Sequence, residues 1–178
     1  IGAFCRAYTI EEVIEKFLSD KYEPTAQPDR YTYKLGSVVG GLVCYEGKFA
    51  YSHHETDPAS RQLCNAFDLC RIHLYGAQDE GSRAQDVTRR PSYAAMQEFA
   101  ASDKAVKLVM ARDKQKEVAD DFGNVEVPED YSDEWKAELE YTKSGKLLCS
   151  IANIILILEN DPALAGRIVH DQFTGMDA

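Results

Sequence analysis

The chain has 178 residues, 44% of them hydrophobic, and a formal net charge of −10 at pH 7. That length suffices for a buried core, and that charge is a poor electrostatic footprint for general DNA binding, whose affinity comes mainly from Lys and Arg displacing counterions. Five cysteines, Cys5, Cys44, Cys64, Cys70 and Cys149, have no C-x-x-C spacing and are odd in number, which excludes a disulfide framework and predicts reduced thiols.

In chain order, Thr9 followed by Glu12 is a capping box, and Ile10, Val13, Ile14, Phe17 and Leu18 form one apolar stripe. Residues 1–22 are therefore expected as an N-terminal amphipathic helix ended at Ser19-Asp20, with Pro24 and Pro28 in the loop beyond it. Residues 23–76 read as an aromatic sheet plus a helix. Residues 30–34 alternate through Tyr31 and Tyr33, and 37–45 is a β-branched run broken by Gly40 and Gly41. The Glu46-Gly47 pair is a tight-turn signal, so 38–53 is expected as a β-hairpin. The glycine pair marks a bulge or a close approach of another backbone.

In the second arm Phe49, Tyr51 and His53 share one face, and Lys48, Ala50 and Ser52 the other. Past a turn at Asp57-Pro58, Asn65 reads as an N-cap with Asp68 three residues on, opening a helix with an apolar Phe67, Cys70, Leu74 face. The module is then three antiparallel strands closed by one helix.

Residues 77–91 are polar and aperiodic and read as a linker. Residues 92–122 read as a helical hairpin: Ser92 caps a helix with Tyr93, Met96, Phe99 and Ala100 on one face, and Asp103 starts another through Val106, Val109 and Met110. Residues 123–178 form a last helical segment. It follows an acidic linker candidate at 120–134 containing Gly123 and Pro128. There Ser132 caps a helix carrying Trp135 and Leu139, Ser144-Gly145 makes a turn, and Ser150 caps an apolar helix through Ile151, Ile154, Ile155 and Leu158. Asp161-Pro162 ends that helix, and 167–173 reads as a short strand. The apolar run at 153–158 is too short to span a bilayer and no basic-then-apolar leader opens the chain, so a cytoplasmic location is expected. The start at Ile1 and the short polar tail read as an excised piece of a longer polypeptide.

The phrases IGAFCRAYTIEEVIEKFL, GGLVCYEGKFAYSHHETDPAS, NAFDLCRIHLYG, RPSYAAMQEFA and GKLLCSIANIILILENDPALAGRIVHDQF occur in this order. The pattern resembles the central region of virulence-associated E family phage and prophage replication proteins, over nearly the whole chain. The resemblance implies a primase domain before this region, a P-loop helicase domain after it, and a role in DNA replication with those two domains as partners. The residues agree that neither engine is inside this chain. There is no G-x-x-x-x-G-K-[ST] phosphate loop. There is also no strand-borne carboxylate pair for two magnesium ions; the spacing at Glu138 and Glu140 falls in a predicted helix. The fragment is expected to be no enzyme and to carry no cofactor.

The strand, turn and Asn-Ala-Phe-Asp helix start are also similar to the zinc-binding domain of bacterial primase. Cys44, His53, His54, Cys64 and Cys70 are the residues that would supply ligands. Structural zinc sites use close ligand pairs, and only the adjacent histidines approach that spacing. The preferred fold is therefore α+β: a small antiparallel sheet closed by a helix, a degenerate, metal-free primase zinc-ribbon-like module with mainly α-helical flanks. His53, His54, Asp57, Asn65 and Asp68 then serve the turn and helix start.

Charge is uneven. In 30–76 five basic residues meet four acidic ones, whereas 103–140 holds six basic and twelve acidic. An aromatic sheet with cations beside it stacks single-stranded bases while the cations track phosphates. The residues for that role are Tyr45, Phe49 and Tyr51, with Lys48, Arg61 and Arg71. The alternative is that the aromatic face is the sheet's own core and the chain is a structural or protein-interaction module. A hydrolytic role for His53 or His54 beside Ser52 lacks a nucleophile elbow, and adjacent strand residues point to opposite faces.

Overall fold

In a computed structural model, which describes residues 1–122, 131–162 and 164, the Thr9 capping box forms as its spacing predicts. The Thr9 hydroxyl accepts from the Glu12 N–H at 3.2 Å, and the Glu12 carboxylate accepts from the Thr9 N–H at 2.8 Å. The helix it opens is Ile10–Phe17, with Ile10, Val13 and Ile14 buried. A separate short helix, Gly2–Ala7, precedes it, so residues 1–22 hold two helices rather than one. Six residues with no side-chain cap give little local signal; what holds this turn is Phe4, fully buried among Tyr8, Phe17, Phe67 and Phe99. These two helices are α1 and α2.

The sheet is larger than the sequence predicts. Five strands, β1 (Tyr22–Pro24), β2 (Arg30–Tyr33), β3 (Leu42–Tyr45), β4 (Phe49–Ser52) and β5 (Leu63–Asn65), pair in sequence order as an antiparallel meander. The two unpredicted strands are the edges, three residues each. So short a segment has no detectable alternation, and its ladder partner rather than its own pattern makes it a strand. The fold class is α+β with an open antiparallel sheet.

The hairpin starts at Leu42 rather than 38, because Gly40 takes a left-handed backbone (φ 68°) and breaks the run. Its turn is where the sequence places it. Glu46 and Gly47 both have positive φ, 52° and 66°, as type I′ turns require, and the Lys48 N–H closes on the Tyr45 carbonyl at 3.0 Å. Asn65 caps α3 (Ala66–Tyr75) by accepting from the Asp68 N–H at 2.8 Å. Within the first of two compact units, Ile1–Ala100, α3 lies against β4 and β5 while α1 and α2 pack on α3.

A fourth helix, α4 (Pro91–Ser102), buries Met96 and Ala100 and closes this unit. Its N-terminus is held differently from the sequence expectation. Ser92 lies inside the helix and donates through both its N–H (2.9 Å) and its hydroxyl (2.7 Å) to the carboxylate of Asp79. Asp79 comes from the stretch read as a linker, where Gly76–Asp79 forms a short 3₁₀ turn. A carboxylate there satisfies orphan N–H groups and complements the helix dipole whichever residue supplies it.

The second unit, Ala101–Ala178, begins with α5 (Lys104–Phe122), whose first turn is capped by Asp103 accepting from the Val106 N–H at 3.1 Å. The helix expected around Trp135 is only a 3₁₀ segment, Glu134–Glu138, stabilised by the buried Lys136 ammonium 2.7 Å from Asp133. The Ser144-Gly145 turn forms, with Gly145 at φ 79° and a bridge between Tyr141 and Leu147. Ser150 caps α6 (Ile151–Asn160) as predicted. Of the acidic linker candidate at 120–134, residues 123–130 lie outside the described residues, as does the strand expected at 167–173, while 120–122 belong to the end of α5 rather than to a linker.

Buried Asn153 joins the turn to α6. Its Nδ2 donates to the carbonyls of Glu140 (2.9 Å) and Leu148 (2.8 Å), and its Oδ1 accepts from the Glu140 N–H (2.8 Å). Asn153→Ala strands those backbone groups and is expected to cost this unit about 2–3 kcal/mol. Denaturant unfolding followed by fluorescence of Trp135, the chain's single tryptophan, measures it.

Candidate functional site

Strand alternation divides the sheet into two unlike faces. Toward the helices point Tyr22, Tyr33, Leu42, Cys44, Ala50, Ser52 and Cys64, all buried. The central pair there, Ala50 and Cys64, is small, which lets α3 approach closely with its buried Phe67, Leu69 and Cys70. The large side chains of β3 and β4 are thereby left on the other face. In the register, Val43 sits beside Tyr51, Tyr45 beside Phe49, and Leu63 beside Tyr51.

That face is open. Tyr45 is 47% exposed, Phe49 43% and Leu63 63%, while Tyr51 is half-buried with the exposed His53 ring 4.8 Å from its own. The aromatic face is not the core of the sheet.

The cations expected beside these rings fall into two groups. Lys48 and Arg61 are exposed, each facing one carboxylate: Lys48 lies 3.7 Å from Glu46 and Arg61 3.0 Å from Glu55. Exposed pairs of this kind contribute little, about 0–1 kcal/mol, so both cations can exchange partners at small cost. Arg30, opposite Val43, lies on the open face and donates to the Gly40 carbonyl at 3.1 Å, whereas Lys48 and Arg61 stand in the turns just before β4 and β5.

Arg71, expected to track phosphates, does not belong to this group. Its guanidinium is buried, donating to Asp68 (3.1 Å) and Ser92 (3.0 Å) with Asp79 3.8 Å away. The reason is helix geometry: Arg71 lies one turn after Asp68 and toward the start of α4.

The adjacent histidines part company. His54 is buried, its Nε2 accepting from the Tyr33 N–H at 3.2 Å, and Nδ1 has no partner among the described residues. A Cβ at Gly36 would lie 2.7 Å from this ring and one at Gly41 2.6 Å, so both glycines are close approaches to His54. That gives the Gly41 half of the sequence signal its cause.

An orphan imidazole nitrogen invites an ion, and the other expected ligands do not converge on it. Burial pushes the thiols of Cys44, Cys64 and Cys70 up to about 12, 11 and 12, so they are protonated at neutral pH. No group of three or more His, Cys, Asp or Glu is placed to hold a metal ion among the described residues. All five cysteines are free thiols.

Asp57 does far more than shape a turn. It is buried, with Oδ1 accepting from the Ala59 N–H (2.8 Å) and Oδ2 from the Tyr22 hydroxyl (2.8 Å). His73 Nε2 lies 2.7 Å from that hydroxyl oxygen and 3.3 Å from Oδ1, and a proton there serves both. Burial by itself would raise the carboxyl, but hydrogen bonds from His73, Ser52, the Ala59 backbone and Tyr22 outweigh it and hold Asp57 below the ordinary carboxylate range. Burial first, and then the Asp57 charge, push the Tyr22 hydroxyl far above the usual tyrosine range. The cluster ties β1, the turn after β4 and α3 together behind the open face. Sequence reasoning missed Tyr22 and His73, which lie 35 and 51 positions apart from their partners Asp57 and Tyr22, with no local motif to mark them.

No helix among the described residues is long and apolar enough to cross a membrane. Compared with models of protein families, with curated proteins and with solved structures, the chain matches none.

Proposed function

We propose that this chain is a non-catalytic central region of a phage or prophage replication primase-helicase, holding single-stranded template between the two engines. The observation that carries the reading is the open sheet face: Tyr45 and Phe49 side by side and exposed, Tyr51 half-buried next along β4, Arg30 on the same face, and the exposed cations Lys48 and Arg61 in the turns before β4 and β5. Flat rings accept any base, and exposed cations follow the backbone without reading sequence. Its fold counterpart is a primase-type strand and helix module in which packed thiols stand where ligands would. The flanking primase and helicase domains are its partners.

A second reading, a purely protein-interaction module, draws on α6, whose Ile151, Ile154 and Ile155 are exposed. DNA titration separates the two.

Labelled single-stranded oligonucleotide is expected to bind with a shallow salt dependence. With two or three phosphates engaged, the log–log slope is about −2, at roughly −0.7 per phosphate. Lys48→Ala and Arg61→Ala should each make the slope shallower by about 0.7. No binding at low salt, where phosphate contacts are strongest, would favour the interaction module.

A further inference from the structure

At the free edge of β5 a cleft of about 300 Å³ opens, lined by Leu63, Asp68, Arg71, Ile72, Thr88 and Tyr93 among others. That is the small end of ligand-binding clefts, which span roughly 300–1,000 Å³. Arg71, only 5% exposed, and Asp68 are charged side chains of its lining, and the hydrogen bonds of Arg71 leave one side unused. Nε is committed to Asp68 Oδ1 and Nη1 to Ser92 Oγ, whereas Nη2 has no protein acceptor among the described residues and is not sealed from solvent. Asp68, with its side chain 34% exposed, likewise keeps Oδ2 without a protein donor among the described residues. A donor and an acceptor, locked to each other by one ion pair, thus stand side by side between the apolar walls of Leu63 and Ile72.

Charge narrows the ligand. Asp68 and Asp79 flank the Arg71 guanidinium and Arg90 also acts on Asp79, so two carboxylates balance two guanidinium groups and no net positive charge is left to select a phosphate or carboxylate. A neutral planar group that presents an acceptor beside N–H donors meets both atoms. We propose that this cleft receives a nucleobase, guanine above the others: O6 accepts from Arg71 Nη2, and N1–H with the 2-amino group donates to the Asp68 carboxylate. Guanine alone among the bases sets two adjacent donors beside a carbonyl. Because the buried Arg71 is already fixed, little ordering opposes binding. The inference rests on the reading of the sheet as a strand-binding surface. The link is Leu63, which pairs with Tyr51 on that face and also lines the cleft, so a base turned over the β5 edge enters it.

Two titrations test this. Guanosine followed by amide chemical shifts should saturably perturb Leu63, Asp68, Arg71 and Tyr93, with adenosine roughly tenfold weaker, and Asp68→Asn or a cleft-filling Thr88→Trp should abolish the effect. A short oligothymidylate and the same oligomer carrying one central guanine give a second measure, read as an affinity ratio within each protein. The ratio should be about ten for the native chain and near one for both variants. Guanosine that shifts none of these amides, or a ratio that survives in both variants, overturns the cleft assignment. Oligothymidylate that binds while guanosine does not leaves the sheet face standing and removes the cleft; guanosine that binds while no oligomer does removes the sheet face and keeps the cleft.

Discussion

Asp57→Ala is expected to lower the stability of the first unit by about 3–5 kcal/mol, the usual range when one member of a buried polar pair is deleted and its partners stay behind. The Tyr22 hydroxyl, His73 Nε2 and the Ala59 N–H all lose their acceptor inside the protein at once. Asp57→Asn keeps the shape and one carbonyl oxygen, so it should cost less than the Ala variant. Circular dichroism during urea unfolding measures both.

Acid supplies an independent check. The Asp57 pKa is depressed in the folded state, so its contribution is complete above the ordinary carboxylate value of 3.8 and is lost as pH falls through the lower folded value. The native chain should therefore destabilise steeply below that value. Asp57→Asn should show a smaller slope there, with the remainder coming from groups such as Asp79, whose carboxyl is also depressed. Burial would raise Asp79, but hydrogen bonds from Ser92 and the charge of Arg71 outweigh it. An unchanged acid slope in Asp57→Asn would mean that the cluster does not carry the linkage.

Removing both rings at the centre of the open face, Phe49→Ala with Tyr51→Ala, should weaken single-strand binding by roughly a hundredfold, since each stacked base contributes about 1–3 kcal/mol. Tyr45→Ala, at the turn end of β3, should cost less. The contrast with stability is the diagnostic part. These side chains are exposed or half-buried on the face away from the helices, so the double variant should unfold within about 1 kcal/mol of the native chain. Binding lost together with stability would instead give the rings a packing role and remove them from recognition. Anisotropy of a labelled oligonucleotide and a melt on the same samples decide between the two.

The same strand shows how far pattern reading reaches. The alternation of Phe49, Tyr51 and His53 against Ala50 and Ser52 is plain in the sequence, and the two faces exist as read. Which face meets the helices could not be read, because alternation is symmetric: ordinary composition argues for burying the rings. The choice falls the other way because small Ala50 and Cys64, side by side across two strands, leave room for Phe67 and Leu69 of α3. Arg71 gives the opposite lesson. Its place in a basic-leaning segment suggested a free cation, but Asp79 and Ser92, eight and twenty-one residues on in the numbering, close around it.

Local devices whose energetics are complete within a few residues were legible from the sequence alone: the Thr9 box, the Asn65, Asp103 and Ser150 caps, the Glu46-Gly47 turn and the α+β class. Each cap and the turn is a backbone group satisfied by a neighbour about three positions away, so adjacency in sequence is enough to specify it. The edge strands, the Tyr22–Asp57–His73 cluster, the burial of Arg71 and the exposure of the aromatic face were decided only in three dimensions. Their partners come from distant segments, and the cost of burying a charge or leaving a ring in water depends on what the rest of the chain packs against it.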